Sequence, residues 1–145
     1  MSYPDAEPML GFTSSEIVML DLDDKSFKSV KYWALKAMKR FRLDGFVILR
    51  SSKKHYHIIF NCYVSWNVSL SVIGWVAILS KSVPLLRYLA MQCIKGASTI
   101  RISPKGEKPS PRVVYRYGEQ DHAVKEFLRE RQTIKRISRL LYRQD

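Results

Sequence analysis

Two cysteines, six glycines and six prolines are few for 145 residues. Cys62 and Cys93 stand apart, outside any C-x-x-C pair and without histidines at ligand spacing. That excludes a disulfide framework and a structural zinc site. Both lie in apolar surroundings and are expected to be buried free thiols in a reducing, intracellular (cytoplasmic) compartment. So little Gly and Pro excludes fibrous and low-complexity chains. No apolar run reaches bilayer length. The most apolar stretch, Val68 to Leu79, is about half of what a spanning helix needs and reads as a buried helix. No membrane partner is expected. The opening MSYPDAEPMLG lacks the basic stretch and apolar core of a signal peptide.

Acid is absent where base is plentiful. Between Gly45 and Gly106 there is no Asp or Glu, against eight Lys or Arg. Residues 1–24 carry six acids, Asp5, Glu7, Glu16, Asp21, Asp23 and Asp24, and no Lys or Arg. Overall, 25 Lys and Arg outweigh 13 Asp and Glu, a formal net charge of +12. With 46% hydrophobic residues, the chain has enough apolar surface for one real core and is no basic disordered tail. This charge points to a polyanionic partner, nucleic acid before anionic membrane. The plainer reading is a solvated surface with an acidic arm.

Periodicity orders the elements. Residues 1–14 read as an N-terminal arm and 15–145 as one domain. EIVMLDL, residues 16–22, reads as a strand. A helix follows from Ser26 to about Arg42, with Phe27, Val30, Trp33 or Ala34, Ala37 and Phe41 as its apolar face. Residues 46–49 and 55–61 are expected to form a hairpin across a polar turn. Two helical segments follow at 68–80 and 83–94, the second with Pro84 in its first turn. STIRIS (98–103) and RVVYRY (112–117) are expected as a second hairpin around a Pro/Lys/Gly-rich loop. A last helix runs from about Asp121 to Arg143. Val124, Phe127, Leu128, Ile134, Ile137 and Leu141 form its stripe, expected as core, with a homodimer contact as the other reading. The order predicts an α+β protein. Its split-βαβ (ferredoxin- or RRM-like) antiparallel sheet has helices on one face and a C-terminal helix.

Three constellations carry chemistry. Asp21 and Asp23 fall on one face of the first strand by period-two geometry. Two carboxylates held side by side suit a hard divalent cation, Mg²⁺ or Mn²⁺, shared with substrate phosphates. They also suit a solvated strand end that caps the helix at Ser26. Next come Ser51, Ser52, Lys53, Lys54, His55, Tyr56 and His57. The two histidines share a strand face, where imidazoles bind metal or phosphate or make structural pairs. In a split-βαβ sheet the first and third strands are the adjacent central pair, so Asp21/Asp23 and His55/His57 are expected to face one another on the open side of the sheet. Last, Arg101, Lys105, Lys108, Arg112 and Arg116 lie on or beside the second hairpin. Arg112, Val114 and Arg116 are expected on one face, and Val113, Tyr115 and Tyr117 on the other. Cations and stackable rings in this pattern suit a single nucleic-acid strand.

LDLDD at 20–24, a helix, and a hairpin running SKKHYHIIF at 52–60 resemble the archaeo-eukaryotic primase and primase-polymerase superfamily. The resemblance implies Asp21 and Asp23 as metal ligands and catalytic groups. It implies Ser52 and His57 as contacts to a nucleotide's phosphates, with Lys53, Lys54 and His55 beside them. The family's third acid falls to Glu119 or Asp121. HYHIIF is also similar to the His-hydrophobe-His motif of rolling-circle replication initiators. That likeness implies His55 and His57 as metal ligands and Tyr88 as nucleophile. The expectation is a DNA-replication protein of a plasmid, virus or mobile element, performing metal-dependent nucleotidyl transfer with DNA and nucleotides as partners. The alternatives are a nickase using Tyr88 and a non-catalytic single-strand-binding module.

Overall fold

The computed structural model describes residues 10–142. The main sheet is built from β2 (Ile17–Leu22), β3 (Gly45–Ser52), β4 (His55–Tyr63) and β6 (Arg112–Gly118), ordered β2-β4-β3-β6 with every pair antiparallel. A separate ribbon joins β1 (Gly11–Ser14) to β5 (Ser98–Arg101), also antiparallel. The helices are α1 (Phe27–Phe41), α2 (Trp66–Leu79), α3 (Val83–Lys95) and α4 (Ala123–Tyr142). The protein is thus α+β, as its periodicities predict, and β2-α1-β3-β4-α2-α3-β5 traces the expected order.

β4 alternates faces. Tyr56, Ile58 and Phe60 point one way, and His57, Ile59 and Asn61 the other. α1 covers the first face, with Phe27 against Tyr56 and Tyr115. α2 joins α1 through Trp75, which meets Trp33 and Phe41 edge-on. Phe46 fills the middle of this layer among Phe60, Tyr115 and Tyr117. α4 docks on the second face, where Phe127 meets Phe12 of β1 with ring centroids 5.4 Å apart. Fully burying each of Phe46, Phe60 and Phe127 contributes about 1.5–3 kcal/mol.

Local signals set the helix ends. Ser26 caps α1 by accepting from Ser29 N, Ser65 caps α2, and Ser82 caps α3 ahead of Pro84. Gly45 and Gly118 face each other across β3 and β6. A Cβ on Gly45 would lie 2.2 Å from Glu119 O, and Gly118 has φ +70°. Only glycine tolerates that approach.

Several expectations need correction. Residues 11–14 of the expected arm form β1, because their backbone groups pair with β5; residues 1–9 lie outside the described residues. β5 and β6 do not form a hairpin. β5 takes β1 and lies beside β2, while β6 takes the free edge of β3. The register of β6 shifts between Tyr115 and Val113. Val113 and Arg116 therefore stand opposite Leu49 and Val47 on one face, and Arg112 stands opposite Arg50 on the other. β2 is an edge of the hydrogen-bonded sheet, although it is adjacent to β4 as expected. The α4 stripe is core only at its start: Val124 and Phe127 are buried, whereas Ile137 and Leu141 are exposed. α2 is buried on one side only, leaving Ile78 and Leu79 exposed. Cys93 is an exposed thiol and Cys62 a half-buried one. Among the described residues no helix is long and apolar enough to cross a membrane.

Candidate functional site

The β2–β4 register places Asp21 opposite His57. Asp21 Oδ1 lies 3.4 Å from His57 Nε2, and Asp23 Oδ1 lies 3.1 Å from His55 Nδ1. All four line one cleft of about 380 Å³. The acids and histidines predicted to meet therefore do so, as two Asp–His pairs side by side.

These acids are not helix caps. Ser26 caps α1, whose first turn holds no acid. Asp24 does a structural job, since Ser82 Oγ donates to its Oδ1 at 3.0 Å and ties the end of β2 to the start of α3. Asp21 and Asp23 are left to each other and to the histidines. Burial pushes the Asp21 carboxyl up, but His57 beside it, with Asp23 and His55, outweighs burial and holds it below the usual carboxylate value. Asp23 moves the other way. Burial and the adjacent Asp21 charge raise it, and His55 offsets only part of that. Two adjacent carboxyls in one cleft are thus shifted in opposite directions.

Among the described residues, Asp21 Oδ1 and His57 Nδ1 are buried without a hydrogen-bond partner. The approach of His57 Nε2 at 3.4 Å is an ion-pair contact and not a hydrogen bond to that oxygen. Orphaned carboxylate oxygen beside a second carboxylate is a donor set fitted to a hard divalent cation.

Cations rim the same cleft. Arg101 of β5, Lys105 and Lys108 of the following loop, and Lys95 of α3 all line it. Arg101 Nη1 donates to Ser103 O and to Pro109 O, pinning the two ends of the loop together. Lys105 and Lys108 exchange backbone hydrogen bonds at 2.9 and 2.8 Å, which holds both on one tight turn. Burial lowers the Arg101 guanidinium from its usual value, while the Asp21 and Asp23 charges pull it back up.

Other expected residues lie elsewhere. Lys53 and Lys54 sit exposed at the β3–β4 turn, outside the cleft lining. Ser51, not Ser52, faces the cleft; Ser52 lines a neighbouring groove with Arg50 and Arg112. The one-residue exchange follows from the register shift between Arg50 and Ser52. Arg116 stands opposite Val47, away from both. Glu119 and Asp121 do not line the cleft either. They form an exposed group with His122, ligand atoms within 4.8 Å of one another, in the turn before α4. That turn is tied to the far end of β4, through Asn61. Tyr88 borders the cleft, but its hydroxyl donates to Met19 O at 3.0 Å. Burial pushes its phenol well above the usual value, with the Asp21 charge adding and Ser98 opposing.

Gln92 and Lys95 are site residues that sequence reasoning misses. Gln92 Oε1 accepts from Thr99 N at 3.0 Å, and Lys95 Nζ donates to Thr99 Oγ1 at 2.6 Å, so α3 is clasped to β5 along the cleft wall. The available signal was their spacing: Tyr88, Gln92 and Lys95 recur on one helix face.

Fold and site together define an α+β protein carrying a two-carboxylate, cation-rimmed cleft on an antiparallel sheet. No protein-family model matches the chain, and neither the curated proteins nor the solved structures contain a match.

Proposed function

We propose that the cleft binds the phosphates of a nucleotide on a nucleic-acid strand and supports metal-dependent nucleotidyl transfer, in the manner of a minimal primase-polymerase. One observation carries the reading. Two adjacent carboxylates, one with an orphaned buried oxygen, face a rim of four cations across one cleft. Carboxylates alone repel phosphate, and cations alone need no carboxylates; a metal–phosphate ligand suits both.

Asp21 and Asp23 are the residues that would hold Mg²⁺ or Mn²⁺. A cation there supplies charge neutralisation for phosphate oxygens and for the developing transition-state charge. His57 favours the ionised form of Asp21 and orients it, and His55 orients Asp23 and offsets part of the rise that burial and Asp21 impose on it. Lys95, Arg101, Lys105 and Lys108, which line the same cleft, take phosphate oxygens. The ordered turn around Lys105 and Lys108 favours positioning, on which phosphoryl transfer chiefly depends. A replication role, a DNA strand as partner and a reducing cytoplasmic setting belong to the same reading, the last supported by two free thiols.

The nickase reading fares worse, because the Tyr88 hydroxyl is buried and bound to Met19 O. The test supplies labelled nucleotides and a primed template with Mn²⁺. Strand extension is expected, and Asp21→Asn abolishes it. Salt-sensitive binding without extension leaves a binding module, and a covalent adduct lost in Tyr88→Phe revives the nickase.

A further inference from the structure

Arg50 and Arg112 stand directly opposite each other on neighbouring strands. Like charges in that position destabilise a sheet unless something neutralises them. Among the described residues neither arginine makes an ion pair. Together with Ser51, Ser52, Pro109 and Ser110 they line a second groove of about 410 Å³. Among the described residues, the Ser52 hydroxyl there is buried without a hydrogen-bond partner.

Arg50 is preset. Its Nε donates to Ser52 O at 3.4 Å, and its guanidinium lies 6.0 Å from the Tyr56 ring centroid. That arrangement orients the guanidinium, and among the described residues its terminal N–H groups have no hydrogen-bond partner. An arginine fork with a serine hydroxyl beside it matches tetrahedral phosphate.

The groove also joins the cleft. Ser51 lines both, and the loop after β5 overhangs both, giving Lys105 and Lys108 to one and Pro109 and Ser110 to the other. Cationic sites separated by one shared residue trace a line, which is the form of a polynucleotide backbone and not of a single small anion.

We propose that Arg50, Arg112 and Ser52 form a second phosphate site that grips the backbone of a single nucleic-acid strand as it runs from the Asp21/Asp23 cleft around the end of the sheet. The proposal rests on the nucleic-acid part of the function above and is independent of its metal chemistry.

The test measures binding of a labelled oligothymidylate across a salt series, alongside Mn²⁺ binding and nucleoside triphosphate binding. Arg112 is exposed, so Arg112→Gln keeps the fold. It is expected to weaken the oligonucleotide about tenfold, in the range of one charge-assisted hydrogen bond. The slope of log affinity on log salt is expected to fall by about 0.7, one phosphate contact on a single strand. Ser52→Ala, which removes the hydroxyl and no charge, weakens binding without changing the slope. Mn²⁺ and triphosphate binding stay unchanged in both variants. Asp21→Asn gives the converse, losing Mn²⁺ and keeping the oligonucleotide slope, so failure of the groove and failure of the cleft are distinct results. Unchanged oligonucleotide affinity and slope in Arg112→Gln overturn the proposal. Loss of triphosphate binding with oligonucleotide binding intact also overturns it, and makes the groove a nucleotide site.

Discussion

His57 Nε2 lies 3.4 Å from Asp21 Oδ1, on one rung of the β2–β4 ladder. Asp23 has a histidine of its own, His55, at 3.1 Å. Yet the two carboxyls shift in opposite directions, because His57 prevails over burial at Asp21 and burial prevails over His55 at Asp23.

Opposite shifts predict opposite variants. The folded-state pKa of Asp21 is lowered, so its contribution to stability is present above the unfolded value and lost as pH falls through the folded one. The folded-state pKa of Asp23 is raised, so its contribution is present below the unfolded value and lost as pH rises through the folded one. Thermal unfolding near neutral pH is expected to show Asp21→Asn less stable than the parent and Asp23→Asn more stable. For Asp23→Asn the difference disappears in acid. A lower midpoint for Asp23→Asn at neutral pH contradicts the assignment.

Mn²⁺ is expected to raise the unfolding midpoint, and saturation at a hundred times its dissociation constant corresponds to about 2.7 kcal/mol. Asp21→Asn and Asp23→Asn each remove the rise. Asp121→Asn, in the exposed turn before α4, leaves it in place. If Asp121→Asn alone removes it, the metal belongs at that turn.

Asn61 of β4 reaches out from the sheet face on which α4 docks and holds the start of that helix. Its Oδ1 accepts from His122 N at 2.8 Å and from Val124 N at 3.1 Å. Asn61→Ala leaves two backbone donors unpaired at a helix start and is expected to cost about 1–3 kcal/mol. Amide exchange should rise first in the opening turn of α4, and unchanged protection there disproves the capping role.

Tyr88→Phe keeps the ring and removes one buried hydrogen bond to Met19 O. A loss of about 1–2 kcal/mol is expected, read by denaturant unfolding, with Mn²⁺ and oligonucleotide affinities unaltered. A drop in Mn²⁺ affinity instead makes the hydroxyl part of the metal site.

Gly118→Ala combines a φ of +70° with a Cβ only 2.5 Å from Asp44 O. A destabilisation of about 2–3 kcal/mol is expected in chemical denaturation. A neutral result means the β3–β6 end is freer to move than its contacts imply.

Much of the site was legible because it is local. Alternation along β2 and β4 puts Asp21 with Asp23 and His55 with His57, whatever the rest of the chain does. The α1 and α3 starts were legible too, through Ser26 and Pro84. The cation rim was only half legible. Arg101, Lys105 and Lys108 were singled out and reach the cleft, but Lys95 arrives from a helix whose docking no local pattern describes. Arg112 and Arg116 were expected on one face, and the register shift in β6 parts them. Ser52 and Ser51 exchanged places through a similar shift in β3.

The sequence by itself determined most of the element types, the facing pairs of acids and histidines, and a strongly basic composition. Period and charge are properties of short stretches, so they survive without knowledge of neighbours. The partners of β1, β5 and β6 were decided only in three dimensions. Gly11 pairs with Arg101 and Arg50 with Arg112, across separations that no periodicity encodes. Edge strands compete for the same backbone groups, and side-chain packing chooses among them. That choice carried Arg101 to the carboxylates and set Arg112 against Arg50, giving two cationic grooves where the sequence shows one run of positive charge.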